Sequence, residues 1–371
     1  MGAATTQERF AVLDGLRGVA AVCVVGVHLR GDLIEWLPSG HLAVDFFFLL
    51  SGFVLCHAYE ERLQNRLGLV RFMTIRVVRL WPLYVFGTLA GFAAAAYQVW
   101  TGALGDSFAV LTRALAFNLL YLPALPDHEY LAFAPYPFNF QSWSLFFELV
   151  ANLAFAIVLT RFKRTGVVTG AIVFAILLIV SVIRHGHANV GFSYDNFFDG
   201  IYRAGFTFFT GAILYWAFRH FKPAFKTPTW LVAIALVAIF TVRANDFMRP
   251  FYDLACIGAL FPALVFFGAT TQPGERVRRL CEISGDISYP LYALHIGVFN
   301  FLFAPVLSKF FGLEGYALPA LWQITVIVAL VGIAFIVGRY FDPPARAALK
   351  SLLLPARAPR ALNKASETQG G

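Results

Sequence analysis

Apolar residues gather along this chain in long blocks separated by short polar stretches. A helix needs about 20 apolar residues to cross a bilayer's hydrocarbon core. Ten blocks approach that length: 10–29, 41–59, 81–100, 143–161, 167–183, 201–218, 229–243, 252–270, 287–307 and 317–338. The pattern predicts an all-α, polytopic membrane protein of about ten transmembrane helices. The block at 229–243 is the shortest. One further apolar run, 107–122, is also short and contains Arg113. It is expected to lie along the outer interface rather than to span.

Charge orients these blocks. The chain holds 29 Lys and Arg against 21 Asp and Glu, a formal net charge of +8. With ten spans and the N-terminus inside, most of the basic residues fall on cytoplasmic segments, as the positive-inside rule requires. A further span at 107–122 would throw the later basic segments outside. Both termini are therefore expected in the cytoplasm. Residues 1–340 form the transmembrane domain. Residues 341–371 form a basic tail, a short interfacial helix followed by disorder. The basic excess then implies a bilayer as partner and no nucleic acid. The chain is 59% hydrophobic and only 13% charged, which excludes an ordinary soluble domain. The four cysteines are scattered singly, so neither a disulfide framework nor a metal site is expected. The first apolar run carries Asp14 and Arg17 and has no small-residue cleavage site behind it, so it reads as a span rather than a leader.

Ionisable groups inside spans are costly and mark function by default. Arg17 is the one basic residue this assignment leaves within a span. His28 follows it after ten intervening residues, which is close to a whole number of helical turns. The two side chains share one face, about 16 Å apart along the axis, Arg17 inward and His28 outward. Gly15 and Gly18 flank Arg17 and would let another helix approach closely. Asp45 stands at the outer end of the second block, at a depth resembling that of His28, where a carboxylate could orient the imidazole. Ser51 lies further along the same block. Ser144, Glu148 and Asn152 recur every four residues and form a polar stripe on one helix. Glu148 could share the level of His28 and Asp45. Arg71, Arg76 and Arg79 crowd the inner loop before the third span, and planar guanidinium forks suit phosphate. Ser288, Tyr292 and His295 have helix-face spacing in the ninth block, with His295 at mid-membrane. Each group also has a structural reading: snorkelling for Arg17, a helix-end charge for Asp45, ordinary inside charge for the arginines. Together their depths suggest a polar passage with a phosphate-binding inner end and an acid–base outer end.

These motifs, in this order, resemble the acyltransferase-3 family, membrane proteins that O-acylate bacterial surface polysaccharides and other envelope or exported molecules. "RGVAAVCVVGVH" is similar to the family's Arg, ten residues, then His. "AVDFFFLLSGF" resembles its "GVDLFFVLSGF", with Ala43 in place of the usual Gly. "RVVRLWPLY" carries its Arg-x-x-Arg as Arg76 and Arg79. "SWSLFFEL" is similar to "SWSLSVEE", with Glu148 on the first Glu and Leu149 on the second. "SYPLYALH" is similar to "SYSLYLLH". The resemblance covers roughly residues 10–340. It implies about ten transmembrane helices in the bacterial inner membrane and acyl-CoA, usually acetyl-CoA, as donor. It implies His28 as the catalytic centre, Arg17 as its companion and Arg76 and Arg79 at the CoA end, with no metal.

Acyl transfer to a hydroxyl needs a base for the alcohol proton and donors for the tetrahedral oxyanion. His28 is expected to act as that base, oriented by Asp45 or Glu148, or to relay the acyl group covalently. The acceptor, a carbohydrate or glycolipid, is expected to meet the outer segment 101–142. Its end, "LPDHEYLAFAPYPFNFQSWS", is rich in aromatics that suit sugar rings. A proton-coupled transporter is the alternative, because buried Arg, His and carboxylates also mark such carriers.

Overall fold

The computed structural model describes residues 9–29, 31–221, 227–313 and 318–354. The secondary structure of these residues is helical, with one isolated bridge between Gly31 and Leu318. The helices are α1 (Ala11–His28), α2 (Asp32–Trp36), α3 (Ala43–Asn65), α4 (Leu69–Trp100), α5 (Phe108–Leu119) and α6 (Ser142–His185). They continue as α7 (Asp199–Phe221), α8 (Thr229–Thr241), α9 (Arg249–Ala255), α10 (Phe261–Thr270) and α11 (Glu275–Val298). The last are α12 (Ala304–Phe311), α13 (Ala320–Tyr340) and α14 (Asp342–Leu353). Among the described residues, seven helical segments are long and apolar enough to cross a membrane. The disordered tail expected beyond α14 falls on 355–371, outside the described residues.

The 44 residues of α6 are two helices, not one. Lys163 breaks them with φ 56° and ψ −153°, a conformation that L-residues rarely adopt. Phe155 and Phe174, on opposite sides of the break, both meet the ring of Phe209, at 6.3 and 5.6 Å between centroids. On a straight helix those two positions would stand about 28 Å apart. The segment therefore doubles back at Lys163 as a helical hairpin, both arms packed on α7.

Two helices contain a one-turn π segment, Cys256–Leu260 before α10 and Phe299–Phe303 before α12. Each precedes a proline, Pro262 or Pro305. Proline lacks an N–H and its ring crowds the carbonyl four residues back, so widening that turn relieves the clash without ending the helix.

Close approach of helices at glycine positions sets the site's frame. In lipid, apolar burial does not favour helix pairing, so backbones that come near enough for dense packing must supply the attraction. α1 packs along α11. A Cβ at Gly15 would lie 2.7 Å from Cys281 Sγ, and one at Gly18 would overlap the Ser284 hydroxyl. α11 also packs against α4, where a Cβ at Gly87 would collide with the Ala293 carbonyl and one at Gly297 with the Gly87 carbonyl. α11 is thereby clamped between α1 and α4, and the polar faces of all three are forced together.

Candidate active site

A cavity of about 660 Å³ lies among α1, α3, α4, α6, α11, α13 and α14. Arg79, Asp286, Arg339, Asp342 and Arg346 line it, and so do Arg17, Ser51, Arg76, Ser144, Glu148, Ser288 and Tyr292. Five of these are arginines. Ion pairs hold Arg17 to Asp14, Arg76 to Glu148 and Arg346 to Asp342. Among the described residues, no ion pair holds Arg79 or Arg339. An anion entering here meets two guanidiniums without a carboxylate of their own.

Arg17 is fixed from two sides. Its Nε donates to Ser288 Oγ at 2.9 Å, and its Nη2 donates to Asp14 Oδ1 at 2.7 Å and to the Gly285 carbonyl at 3.3 Å. Asp14 stands one turn before Arg17, a spacing that puts the two on one face, so this partner was available in the sequence and went unread. Arg76 and Arg79 lie within α4, which begins at Leu69, and not on a loop before it. Charge lowers hydropathy but not helix propensity, and arginine is a good helix former. The helix therefore runs on through its arginines, and Pro82 sits inside it.

Among the described residues, no hydrogen bond joins Glu148 to His28. Its Oε1 accepts from Ser51 Oγ at 2.9 Å and from Arg76 Nη2 at 3.0 Å. Continuing α4 back past Trp81 brings Arg76, only 4% exposed, level with the stripe on α6, and a buried guanidinium claims the nearest carboxylate. Among the described residues, no hydrogen bond joins Asp45 to His28 either. Both its oxygens accept from Arg203, Oδ1 from Nε and Oδ2 from Nη2, each at 2.7 Å. Both side chains are 0% exposed. Arg17 is thus not the one basic residue within an apolar block: Arg203, in the block at 201–218, is another.

His28 meets His295 instead. Its Nδ1 lies 2.9 Å from His295 Nε2, and the rings stack 5.1 Å apart. His295 Nδ1 lies 2.9 Å from the Tyr292 carbonyl and 3.1 Å from the Leu291 carbonyl. Carbonyls only accept, so in the neutral pair His295 carries its proton on Nδ1 and offers a lone pair at Nε2. His28 must then hold its proton on Nδ1, which makes Nε2 its basic nitrogen. His295 is 1% exposed and does not line the cavity, and nor does His28. Tyr292, one turn before His295, does line it.

The turn before α6 secures this part of α11. Gln141 Nε2 donates to the Tyr292 carbonyl at 2.8 Å, and Asn139 Nδ2 to the Ala293 carbonyl at 3.0 Å. Phe140, between them in sequence, turns edge-on to His28 at 6.0 Å and contacts Phe133 and Phe192. The aromatic segment singled out in the sequence therefore reaches the histidine pair. Further along it, buried His128 lies 2.9 Å from the Tyr130 carbonyl and 3.1 Å from the Tyr194 hydroxyl. Burial holds its pKa below the usual histidine value, against the raising effect of the Tyr130 carbonyl.

A family model described as an acyltransferase domain matches residues 10–339. Protein 2 in the picA locus of Rhizobium radiobacter is 40% identical over 163 residues, 40% of this chain and 82% of that protein. The O-acetyltransferase OatA of Staphylococcus aureus is 34% identical over 76 residues, 20% of this chain and 12% of that protein. No solved structure matches. The chain belongs to the acyltransferase-3 family.

Proposed function

We propose that this acyltransferase moves an acetyl group from acetyl-CoA to a hydroxyl of a cell-envelope carbohydrate or glycolipid, with His28 as the base. The observation that carries the reading is the His28–His295 pair, 2.9 Å apart, one helical turn beyond an arginine-lined cavity. The O-acetyltransferase name borne by a relative supports the choice of acetyl and of oxygen.

The cavity suits the donor's chemistry. Its volume of about 660 Å³ is in the range of small-molecule sites. Arg79 and Arg339 offer guanidiniums for phosphate, and Arg76 adds a buried Nε that has no partner among the described residues. Acetyl-CoA supplies an activated thioester. The chain's own part is to grip the phosphates at these arginines, align the thioester past Arg17 and Ser288, and remove a proton at His28. His28 Nε2 takes the acceptor hydroxyl's proton as its oxygen bonds to the acyl carbon. The C–S bond then breaks, and the imidazolium returns the proton to the leaving thiolate, so charge and protons balance. His295 would stabilise the imidazolium through the Nδ1–H it accepts.

Ten crossings with both termini in the cytoplasm of the bacterial inner membrane fit this reading. The two arms of α6, α7 and α8, added to the other long segments, supply helices for every apolar block. The arginine rim of the cavity then faces the cytoplasm, where CoA is made, and Phe140 faces outward toward the acceptor. Residues 1–340 would be the catalytic unit, with α14 as the ordered start of the tail.

The test is release of free CoA thiol from acetyl-CoA by purified protein with envelope glycan fragments as acceptors. His28→Ala should lower turnover by at least about a thousandfold, several kcal/mol of barrier, while the protein stays folded. Full activity in that variant would sink the reading. Envelope glycans of a deletion strain should lack an acetyl mass increment.

A further inference from the structure

The cavity and the histidine pair are separate places, and one side chain stands between them. Tyr292 lines the cavity, whereas His28 and His295 do not. Its ring packs edge-on to Phe47 at 5.4 Å and lies 6.0 Å from the His295 ring. It is 7% exposed. Its hydroxyl is 2.5 Å from Ser144 Oγ and 3.3 Å from the Gln141 carbonyl. Ser144 Oγ donates to the same carbonyl at 2.9 Å. One carbonyl thus anchors two hydroxyls, and the tyrosine ring is pinned across the deep end of the cavity by contacts that a rotamer change would release.

We propose that Tyr292 is a latched partition between donor cavity and base, and that it sets the acyl length the enzyme accepts. The proposal rests on the reading of the cavity as the donor site. An acyl group held at the cavity's deep end meets the face of Tyr292 and the ring of Phe47 before it meets His28. A two-carbon acyl group passes a ring that swings about its Cα–Cβ bond. A longer chain has to displace both aromatic rings from close packing, which a dense protein interior resists. The closed ring also keeps the bound thioester from the base until the latch on Ser144 opens. The partition therefore restrains wasteful hydrolysis as well as long acyl groups. Ser144 and Gln141 act through Tyr292 and are positioning residues.

The measurement is the ratio of kcat/KM for butyryl-CoA to that for acetyl-CoA, alongside CoA release without acceptor. Tyr292→Ala should raise the ratio by about tenfold or more, since each methylene a pocket accepts or refuses is worth about that factor. Tyr292→Phe, which keeps the ring and loses the latch, should leave the ratio near the parent value and raise acceptor-independent release several-fold. If Tyr292→Ala does not fold, Phe47→Ala must show the same shift in ratio. An unchanged ratio in the folded variant overturns the proposal, as does an unchanged basal release in Tyr292→Phe. A parent protein that releases no CoA from any acyl-CoA with any acceptor fails at the earlier step, the assignment of donor and function, and is told apart by that control.

Discussion

Two arginine–carboxylate pairs inside this bundle share the same chemistry and differ in nearly everything else. Arg203 and Asp45 meet fork to fork, both 0% exposed. Two further donors of Arg203 go to the His41 carbonyl at 2.8 Å and the Val190 carbonyl at 3.1 Å, and its Cζ lies 5.6 Å over the Trp143 ring. Arg76 reaches Glu148 through one nitrogen at 3.0 Å. Its Nε is buried with no partner among the described residues, and both side chains line the cavity. A closed pair holds helices in register. An open pair leaves a donor over beside the cavity. Hydrogen-bond saturation and burial both separate the two pairs.

The sharpest way to break that contrast is Asp45→Asn. It leaves a buried guanidinium without its counter-charge, and a loss of about 3–5 kcal/mol is expected. Thermal melts in detergent should show little folded protein, and adding Arg203→Met should recover part of it. Glu148→Gln should behave in the opposite manner. It is expected to melt within a few degrees of the parent while acetyl-CoA turnover falls about tenfold or more, roughly 1.4 kcal/mol of barrier. If Glu148→Gln unfolds as Asp45→Asn does, the distinction between the pairs is lost. Arg339→Ala tests the cavity rim with a smaller effect. KM for acetyl-CoA should rise several-fold at low ionic strength with kcat held, and the difference should shrink as salt screens the exposed charge.

The smallest effect belongs to a buried base that hydrogen-bonds a carbonyl and a hydroxyl. His128 has its pKa lowered by burial, so the folded state resists a proton that the unfolded chain takes near pH 6.5. Stability from this group is present above that pH and declines as pH falls below it. Protease nicking within 120–141 should therefore increase on acidification, and His128→Gln should flatten the dependence.

Much of this was legible in the sequence, and the limits are physical. Hydrophobic blocks gave each long helix, because a span announces itself by composition alone. Gly15 and Gly18 marked the close approach of α1, and helix spacing put Ser144 and Glu148 on one stripe. Partners across helices were another matter. Asp45 and Arg203 lie 158 positions apart, and depth in a membrane narrows a partner to a layer without choosing a face. Hence Asp45 and Glu148 were both assigned to His28. His28 and His295 were each singled out, but nothing in one sequence joins them. Arg203 was hidden in an apolar block, although an arginine there has no inexpensive explanation except a buried acid.

The reversal at Lys163 has a consequence for how the chain is assembled. With a single residue to turn in, the two arms of α6 have no tether that would let one cross the bilayer while the other waits. The two arms are expected to insert as one unit, with the turn left at the surface. Arg161, Lys163 and Arg164 crowd that turn and oppose its passage through the lipid, so the sequence that makes the bend also keeps it from being pulled through.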